Sequence, residues 1–306
     1  MASALGGPEV LRVVEEDVPP PGPGEVRVRV HAAGVNPWDW KSYAPGSGAT
    51  APVRLGLEVA GVVEAVGPGV RWYSPGDEVV ASPVTGGYAD VVTAPQDVLV
   101  RRPDGLDTVR AAGLLAAGVT AVHAVEATAV DDGDVVLVHG AAGGVGRMAV
   151  QLSVLRGARV LATASPRWHD CLRRLGAEPV TYGPGLADRV RDLLAGDGPL
   201  TVAIDTVGTT EALDTSVELV ADRSRVATIV ALERGVRLGV RALGYGPGAE
   251  PGTAVRQAAR PQLAALAADG TLDVQVTGTY PLEEAEAAHR RSREGHAGGK
   301  LVLLTR

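Results

Sequence analysis

The sequence predicts an α/β protein in which a doubly wound parallel sheet is inserted into a β-rich domain. Three observations predict it. Short alternating strands fill the first part of the chain. From about residue 114, apolar strands alternate with helices of about ten residues. The tail then returns to extended segments.

Composition sets the limits. The 306 residues suffice for two domains, and 45% apolar with 21% charged residues is the balance of a globular chain. Phe is absent, so Val, Leu and Ala must fill the core. The net charge of −7 and the lack of a long Lys/Arg run argue against nucleic acid as a partner. No stretch is apolar enough for a membrane span, so no membrane partner is expected. "MASALGGPEVL" lacks the basic start and apolar core of a signal peptide. The single Cys171 excludes an internal disulfide and a multi-cysteine zinc site. Together these features predict a cytoplasmic protein.

In the first domain, "EVRVRVHAAGV" alternates like a half-buried strand, and "LEVAGVVEAVGPGV" follows as a second. "DEVVAS" and "YADVVTA" are short strands between turn signals. The alternating region then begins with the strand "VVLVHG" and the helix "GRMAVQLSVLRG". Next come "ARVLATAS" and "RWHDCLRRLG", "PVTY" and "LADRVRDLLAG", "TVAIDTVG" and "TTEALDTSVELVAD", and the strand "SRVATIVA". These strands are near-continuous apolar runs, as in a sheet covered on both faces. The tail contains the helix "RPQLAALAADG", the extended "LDVQVTGTYPL", the helix "EEAEAAHRRSREG" and the strand "KLVLLTR". The expected boundaries are 1–113 plus 268–306 for the first domain and 114–267 for the second.

Gly140, Gly143 and Gly146 have G-x-x-G-x-x-G spacing, with Gly144 between them, after a strand and at the opening of a helix. Backbone without Cβ atoms can turn tightly and lie against a ligand. The helix end offers unpaired N–H groups and partial positive charge, which suits a pyrophosphate. The spacing predicts a dinucleotide on Gly140, Ala142, Gly143, Gly144, Val145 and Gly146. A plain turn without a ligand is the alternative. About 20 residues on, where NAD sites carry an acid, stand Ser165 and Arg167. No carboxylate is present, and Arg167 can pair with a 2′-phosphate, with Tyr182 adding a hydroxyl. NADP(H) is therefore the expected cofactor, unless Arg167 is only a solvated charge.

"GGPEVLRV", "GEVRVRVHAAGVNPWDWK", "GLEVAGVVEAVGPGV", "GDEV", "GGYADVV", "LLAAGVTAVHA", "HGAAGGVG", "DTVG" and "EGHAGGKLVLL" occur in this order along nearly the whole chain. On these segments the sequence resembles the medium-chain dehydrogenase/reductase superfamily, and within it the zinc-free NADPH:quinone oxidoreductase branch. The resemblance implies a Rossmann domain inserted in a GroES-like substrate domain, with the active site in the cleft between them. Zinc-dependent members hold their metal on three segments, where this chain has Asn36, Leu57 and Ala117. Leu and Ala cannot bind zinc, so no metal is expected. The family also begins with a strand before "GGPEVL", for which only "MASAL" stands here.

The resemblance places Asn36, Asp39 and Tyr43 near the nicotinamide, in a Pro turn. Asn36 would bond a substrate carbonyl or the cofactor, and Lys41 or Tyr43 would donate a proton. Local capping is the alternative for Asn36 and Asp39. Trp38 and Trp40 wall an aromatic pocket or pack the turn. Glu58 reads as a structural pairing. Thr120, read as opening a helix, and Lys300 would touch the cofactor. Asp205, Val207, Gly208, Val230 and Ala231 would line its site at the carboxyl edge of the sheet; for Asp205, capping of the next turn is the alternative. Cys171 reads as a core residue.

The expected function is an NADPH-dependent, metal-independent reductase of quinones or α,β-unsaturated carbonyls. An enoyl reductase tailoring a secondary metabolite and a non-catalytic NADPH-binding sensor or scaffold are the alternatives. A homodimer is expected, with "VALERGVRLGV" as a candidate edge.

Overall fold

The protein is described by a computed structural model over residues 1–196 and 198–305. It divides into two compact units, Met1–Ala116 with Arg260–Arg306, and Ala117–Ala259. The helix Thr253–Ala268 runs across the division at 259/260.

The first unit contains the strands β1 (Glu25–Val35), β2 (Val59–Val66), β3 (Glu78–Ala81), β4 (Val91–Pro95) and β5 (Leu99–Arg101). Its short helices are α1 (Pro37–Lys41) and α2 (Thr108–Ala111), and α3 (Leu115–Ala127) leads into the second unit. There β6 (Val135–His139), α4 (Gly144–Leu155), β7 (Arg159–Thr163), α5 (His169–Arg174) and β8 (Glu178–Val180) follow. They continue as α6 (Leu186–Leu194), β9 (Val202–Asp205), α7 (Thr210–Leu219), β10 (Val226–Thr228), α8 (Leu232–Leu238) and β11 (Arg241–Ala242). The chain returns through α9 (Thr253–Ala268) to β12 (Val276–Pro281), α10 (Ala285–Glu294) and β13 (Lys300–Leu304).

β1 organises the first unit. Its Val26, Val28 and Val30 alternate into the core, as a strand with a period of two requires. The first half of β1 pairs with β4 and its last residues with β13, while β2 runs along nearly its whole length. Register shifts at Arg27/Val28 and Val30/Ala32 interrupt the β1–β2 ladder. Such bulges bend a strand and raise its twist, so β1 can serve different neighbours at its two ends. Near the start of the chain, Ala2 is buried and makes isolated bridges with Val53 and Leu11.

The second unit is a parallel sheet in the order β11-β10-β9-β6-β7-β8. Counted within the unit this is 6-5-4-1-2-3, the doubly wound order. All five residues of β6 are buried, which explains the uninterrupted apolar run "VVLVH". The strand order reverses between β6 and β9, where His139 stands opposite Asp205. Open α/β sheets bind ligands beyond the carboxyl ends of the strands at such a switch point. "VALERGVRLGV", expected at a sheet edge, is mostly the helix α8; the edge strand is the two-residue β11 just after it. The GV-x-x-GV punctuation hides a helical turn that Gly235 permits by packing closely against Thr228. No helix among the described residues is long and apolar enough to cross a membrane.

Candidate active site

The glycine loop sits at the switch point. Gly143 caps α4, and Gly144 is its first residue. A Cβ on Gly146 would run into the Gly140 carbonyl and the Ala141 backbone, so only glycine lets α4 pack this closely on the turn. The turn is tied to its neighbours. The Gly140 N–H donates to Thr163 Oγ1 at 3.1 Å, and the Thr206 hydroxyl donates to the His139 carbonyl at 2.6 Å. These two threonines did not stand out in the sequence. The available signal was a hydroxyl at the end of an apolar strand.

Asp205 is fully buried and organises the next turn. Its Oδ1 accepts the Val207 and Gly208 N–H groups at 2.9 and 2.8 Å, and its Oδ2 accepts the Thr228 hydroxyl at 2.7 Å. Thr228 Oγ1 in turn accepts the Ala231 N–H at 3.1 Å. Asp205 thus shapes the sheet edge with all of these contacts spent on the protein. Val230 and Ala231 lie beyond the end of β10 rather than within it, and Ala231 precedes α8. Thr120 lies in the middle of α3, not at its start, because Gly118 is accommodated inside the helix.

Four exposed apolar or aromatic side chains follow the carboxyl ends of successive strands. Tyr182 follows β8, Val207 follows β9, Val230 follows β10 and Tyr245 follows β11, each between 37% and 65% exposed. Val207, Val230 and Tyr245 follow the adjacent strands β9, β10 and β11, on one side of the switch point, whereas Tyr182 follows β8 at the opposite edge. Apolar surface beside a phosphate-type turn suits a flat, partly apolar ligand.

Past β7, the Ser165 hydroxyl is buried and has no hydrogen-bond partner among the described residues. Arg167 is exposed, its guanidinium 5.5 Å from the Trp168 ring. An orphaned buried hydroxyl beside a solvent-facing cation fits a sugar phosphate. Cys171 is half-buried rather than core, and its sulfur accepts Arg147 Nη1 at 2.8 Å.

The remaining expected residues gather in the first unit. Asn36 caps α1: its backbone N–H donates to Asp39 Oδ2 at 2.7 Å, closing a capping box. Its side chain is also held, with Nδ2 donating to the Gly34 carbonyl at 3.2 Å and Oδ1 accepting Lys300 Nζ at 2.6 Å. Lys300 Nζ also lies 3.3 Å from Glu58 Oε2, and Glu58 Oε1 accepts the Ala116 N–H at 2.8 Å. Lys300, expected on the cofactor, is therefore grouped with Asn36 and Glu58 in a buried ion pair. Glu58 carries the structural pairing expected of it.

Asp39 and Tyr43, expected to project from the turn, are buried. Burial pushes the Asp39 carboxyl up to about 6, against hydrogen bonds from Asn36 and Tyr88 that favour its charge. Tyr43 packs with Ala2 and Leu55, and burial pushes its phenol up to about 12. Its hydroxyl meets His289 Nδ1 at 2.8 Å, which occupies the proton that donation to a substrate would need. Lys41 is exposed, its ammonium 5.5 Å from the Trp40 ring. Trp40 Nε1 donates to Ser292 Oγ at 3.2 Å, so Trp40 packs the turn, while Trp38 is 54% exposed. His289 and Tyr88 had no distinguishing sequence signal; their partners are distant in the chain.

Among the described residues no group of three or more His, Cys, Asp or Glu side chains is placed to hold a metal ion.

Two family models match the chain: the alcohol dehydrogenase GroES-like domain over residues 22–104 and the zinc-binding dehydrogenase over residues 175–303. A quinone oxidoreductase of Pseudomonas aeruginosa is 33% identical over 99% of this chain and 98% of its own length. The spectinabilin polyketide synthase system protein NorB of Streptomyces orinoci is 34% identical over 96% of this chain, which spans only 14% of that synthase. A mycobacterial structure solved in complex with NADPH superposes with a TM-score of 0.84 at 30% identity, covering 99% of this chain and 98% of the other. With a third of the residues shared along nearly the full length of both chains, the resemblance becomes membership: this chain is an oxidoreductase of the quinone oxidoreductase branch of the medium-chain dehydrogenase/reductase superfamily.

Proposed function

We propose that this oxidoreductase uses NADPH to reduce a quinone or an α,β-unsaturated carbonyl compound without a metal. The observation that carries the cofactor half is the pairing of the glycine turn at the β6–β9 switch point with the orphaned Ser165 hydroxyl and exposed Arg167 after β7. Gly140, Ala142, Gly143, Gly144, Val145 and Gly146 would take the pyrophosphate on the α4 N-terminus. Ser165, Arg167 and Tyr182 would take the phosphorylated ribose, with Arg167 as the charge that selects NADPH. Val207, Gly208, Val230 and Ala231 would support the nicotinamide end, and Asp205 holds their backbone in place. The NADPH complex of the mycobacterial neighbour supports this reading.

When bound, NADPH supplies a hydride from C4 of its nicotinamide. A quinone then takes a proton on oxygen to become a hydroquinone, and an enone takes one at its α-carbon. Asn36 keeps one amide N–H beyond its bond to Gly34, and that donor is the group proposed to orient a substrate carbonyl. Of the two proton donors considered, Lys41 is the exposed one, and Tyr43 acts as a positioning residue. Leu57 and Ala117 stand where zinc ligands would be needed, so substrate polarisation falls to such hydrogen bonds rather than to a Lewis acid.

A second reading takes an enoyl thioester as the substrate. It is favoured by the 34% identity to a polyketide synthase protein. One experiment separates the readings: NADPH oxidation with quinones, enones and an enoyl thioester, each with and without a chelator. Quinone turnover that ignores chelator supports the main reading, and turnover only of the thioester supports the second. Loss of rate with chelator and rescue by zinc overturns the metal-free mechanism. Tight NADPH binding with no turnover assigns a non-catalytic role. Homodimer formation through the β11 edge belongs to the same proposal, and a monomer mass in sedimentation would remove it.

A further inference from the structure

Among the described residues, the second unit contains a cation with no ion-pair partner. Arg256, in the first turn of α9, is half-buried, and its Nη1 donates to Thr120 Oγ1 at 2.9 Å. Its Nε is buried with no hydrogen-bond partner. No carboxylate of the described residues forms an ion pair with it, whereas the neighbouring Arg241 holds Glu250 through two bonds of 2.6 and 2.7 Å. Guanidinium groups rarely stay desolvated without an anion, because the lost hydration is repaid only by a partner.

The surroundings are built rather than incidental. His123, one turn beyond Thr120 in α3, is 4% exposed, and its Nδ1 also has no partner. Gly252 lies against the His123 ring, where any Cβ would collide with it, and its φ of +61° favours glycine as well. Burial pushes His123 down to about 4, so it is a neutral ring at pH 7 and adds no charge. The segment leads on from β11, beside β10 and β9, whose carboxyl ends the exposed Val230 and Val207 follow. Gly244 stands against Leu232, next to Ala231, and the exposed Tyr245 follows.

We propose that Arg256 is the anion-recognising residue of a substrate subsite, taking the carboxylate of an unsaturated acid. A monoanion is indicated because Arg241 is already neutralised by Glu250, which, among the described residues, leaves Arg256 as the uncompensated charge beside His123. Its unused N–H donors match the two oxygens of a carboxylate. The substrate half of this inference rests on the reductase reading; the binding half does not.

The test is calorimetry on the full chain with 3-phenylpropanoate, a saturated acid that cannot be reduced, and with its amide. The wild type should bind the acid about tenfold or more tightly than the amide. Arg256→Leu should abolish that preference, and Arg256→Lys should restore part of it. Equal affinities in the wild type, or a preference that survives Arg256→Leu, would overturn the proposal. So would a tenfold loss of NADPH affinity in Arg256→Leu, since the cation would then serve the cofactor. If no quinone or enone is reduced but the acid preference depends on Arg256, the reductase reading fails and this subsite stands.

Discussion

The Tyr43 hydroxyl meets His289 Nδ1 at 2.8 Å, although 246 positions separate the two residues. His289 Nε2 lies 3.1 Å from the Tyr88 hydroxyl, which donates to Asp39 Oδ2 at 3.0 Å. The proton directions follow from the ionised Asp39. A carboxylate only accepts, so Tyr88 spends its one proton there and its oxygen accepts Nε2–H. Nδ1 is then bare and accepts the Tyr43 proton. The chain of bonds ends at the Asn36 N–H and so fixes the α1 turn through a ring on α10.

This arrangement needs a neutral His289, and burial pushes its pKa down to about 4 from the usual 6.5. The folded state therefore binds the proton less readily than the unfolded chain. Stability from this group is complete above pH 6.5 and is lost as pH falls toward 4. His289→Gln can keep one donor and one acceptor without titrating. Urea midpoints measured from pH 7 to 4 should fall less steeply for that variant than for the wild type. Parallel curves would remove His289 from the acid response.

Asp39 works in the opposite direction. Its folded pKa of about 6 lies above the ordinary carboxyl value of 3.8, so the folded state holds the proton more tightly. Its contribution is present below 3.8 and is lost as pH rises through 6. Asn at this position can accept both bonds without a charge. The unfolding free energy of Asp39→Asn relative to wild type should rise by roughly 3 kcal/mol between pH 3.5 and 7. A constant difference would mean that Asp39 titrates normally.

The buried pair of Lys300 and Glu58 gives a prediction of another kind. The two side chains are 6% and 0% exposed, so neither can turn to water. Lys300→Met should cost about 3–5 kcal/mol because it strands the Glu58 charge. The double variant Lys300→Met, Glu58→Leu should recover most of that loss in chemical denaturation. Additive losses would show that the two residues do not act as a pair.

What could be read in advance follows from range. The glycine turn and the strands β1 and β6 are local patterns, set by a period of two, an apolar run and a turn, and all are legible in a single stretch. Thr120 reads as a helix start in sequence, yet α3 begins at Leu115 and runs through Gly118. The roles of Tyr43 and Lys300 depend on partners more than 200 positions away, which no local spacing encodes. Arg256 was illegible for the opposite reason: what distinguishes it is a carboxylate that is not there.

Cofactor choice can be tested at Arg167. The cation is exposed, so it adds little to folding and its removal should leave the fold intact. A 2′-phosphate would pair with its guanidinium through charge-assisted bonds, whereas NADH offers only a hydroxyl there. Arg167→Glu should therefore lower kcat/KM for NADPH by about tenfold or more while leaving NADH use equal or better. Ser165→Ala should weaken both cofactors more evenly, since the contact proposed for its hydroxyl is with the sugar, which NADPH and NADH share, rather than with the 2′-phosphate. Unchanged discrimination in Arg167→Glu would move the phosphate site elsewhere along the β7–β8 edge, with Tyr182 the next residue to substitute.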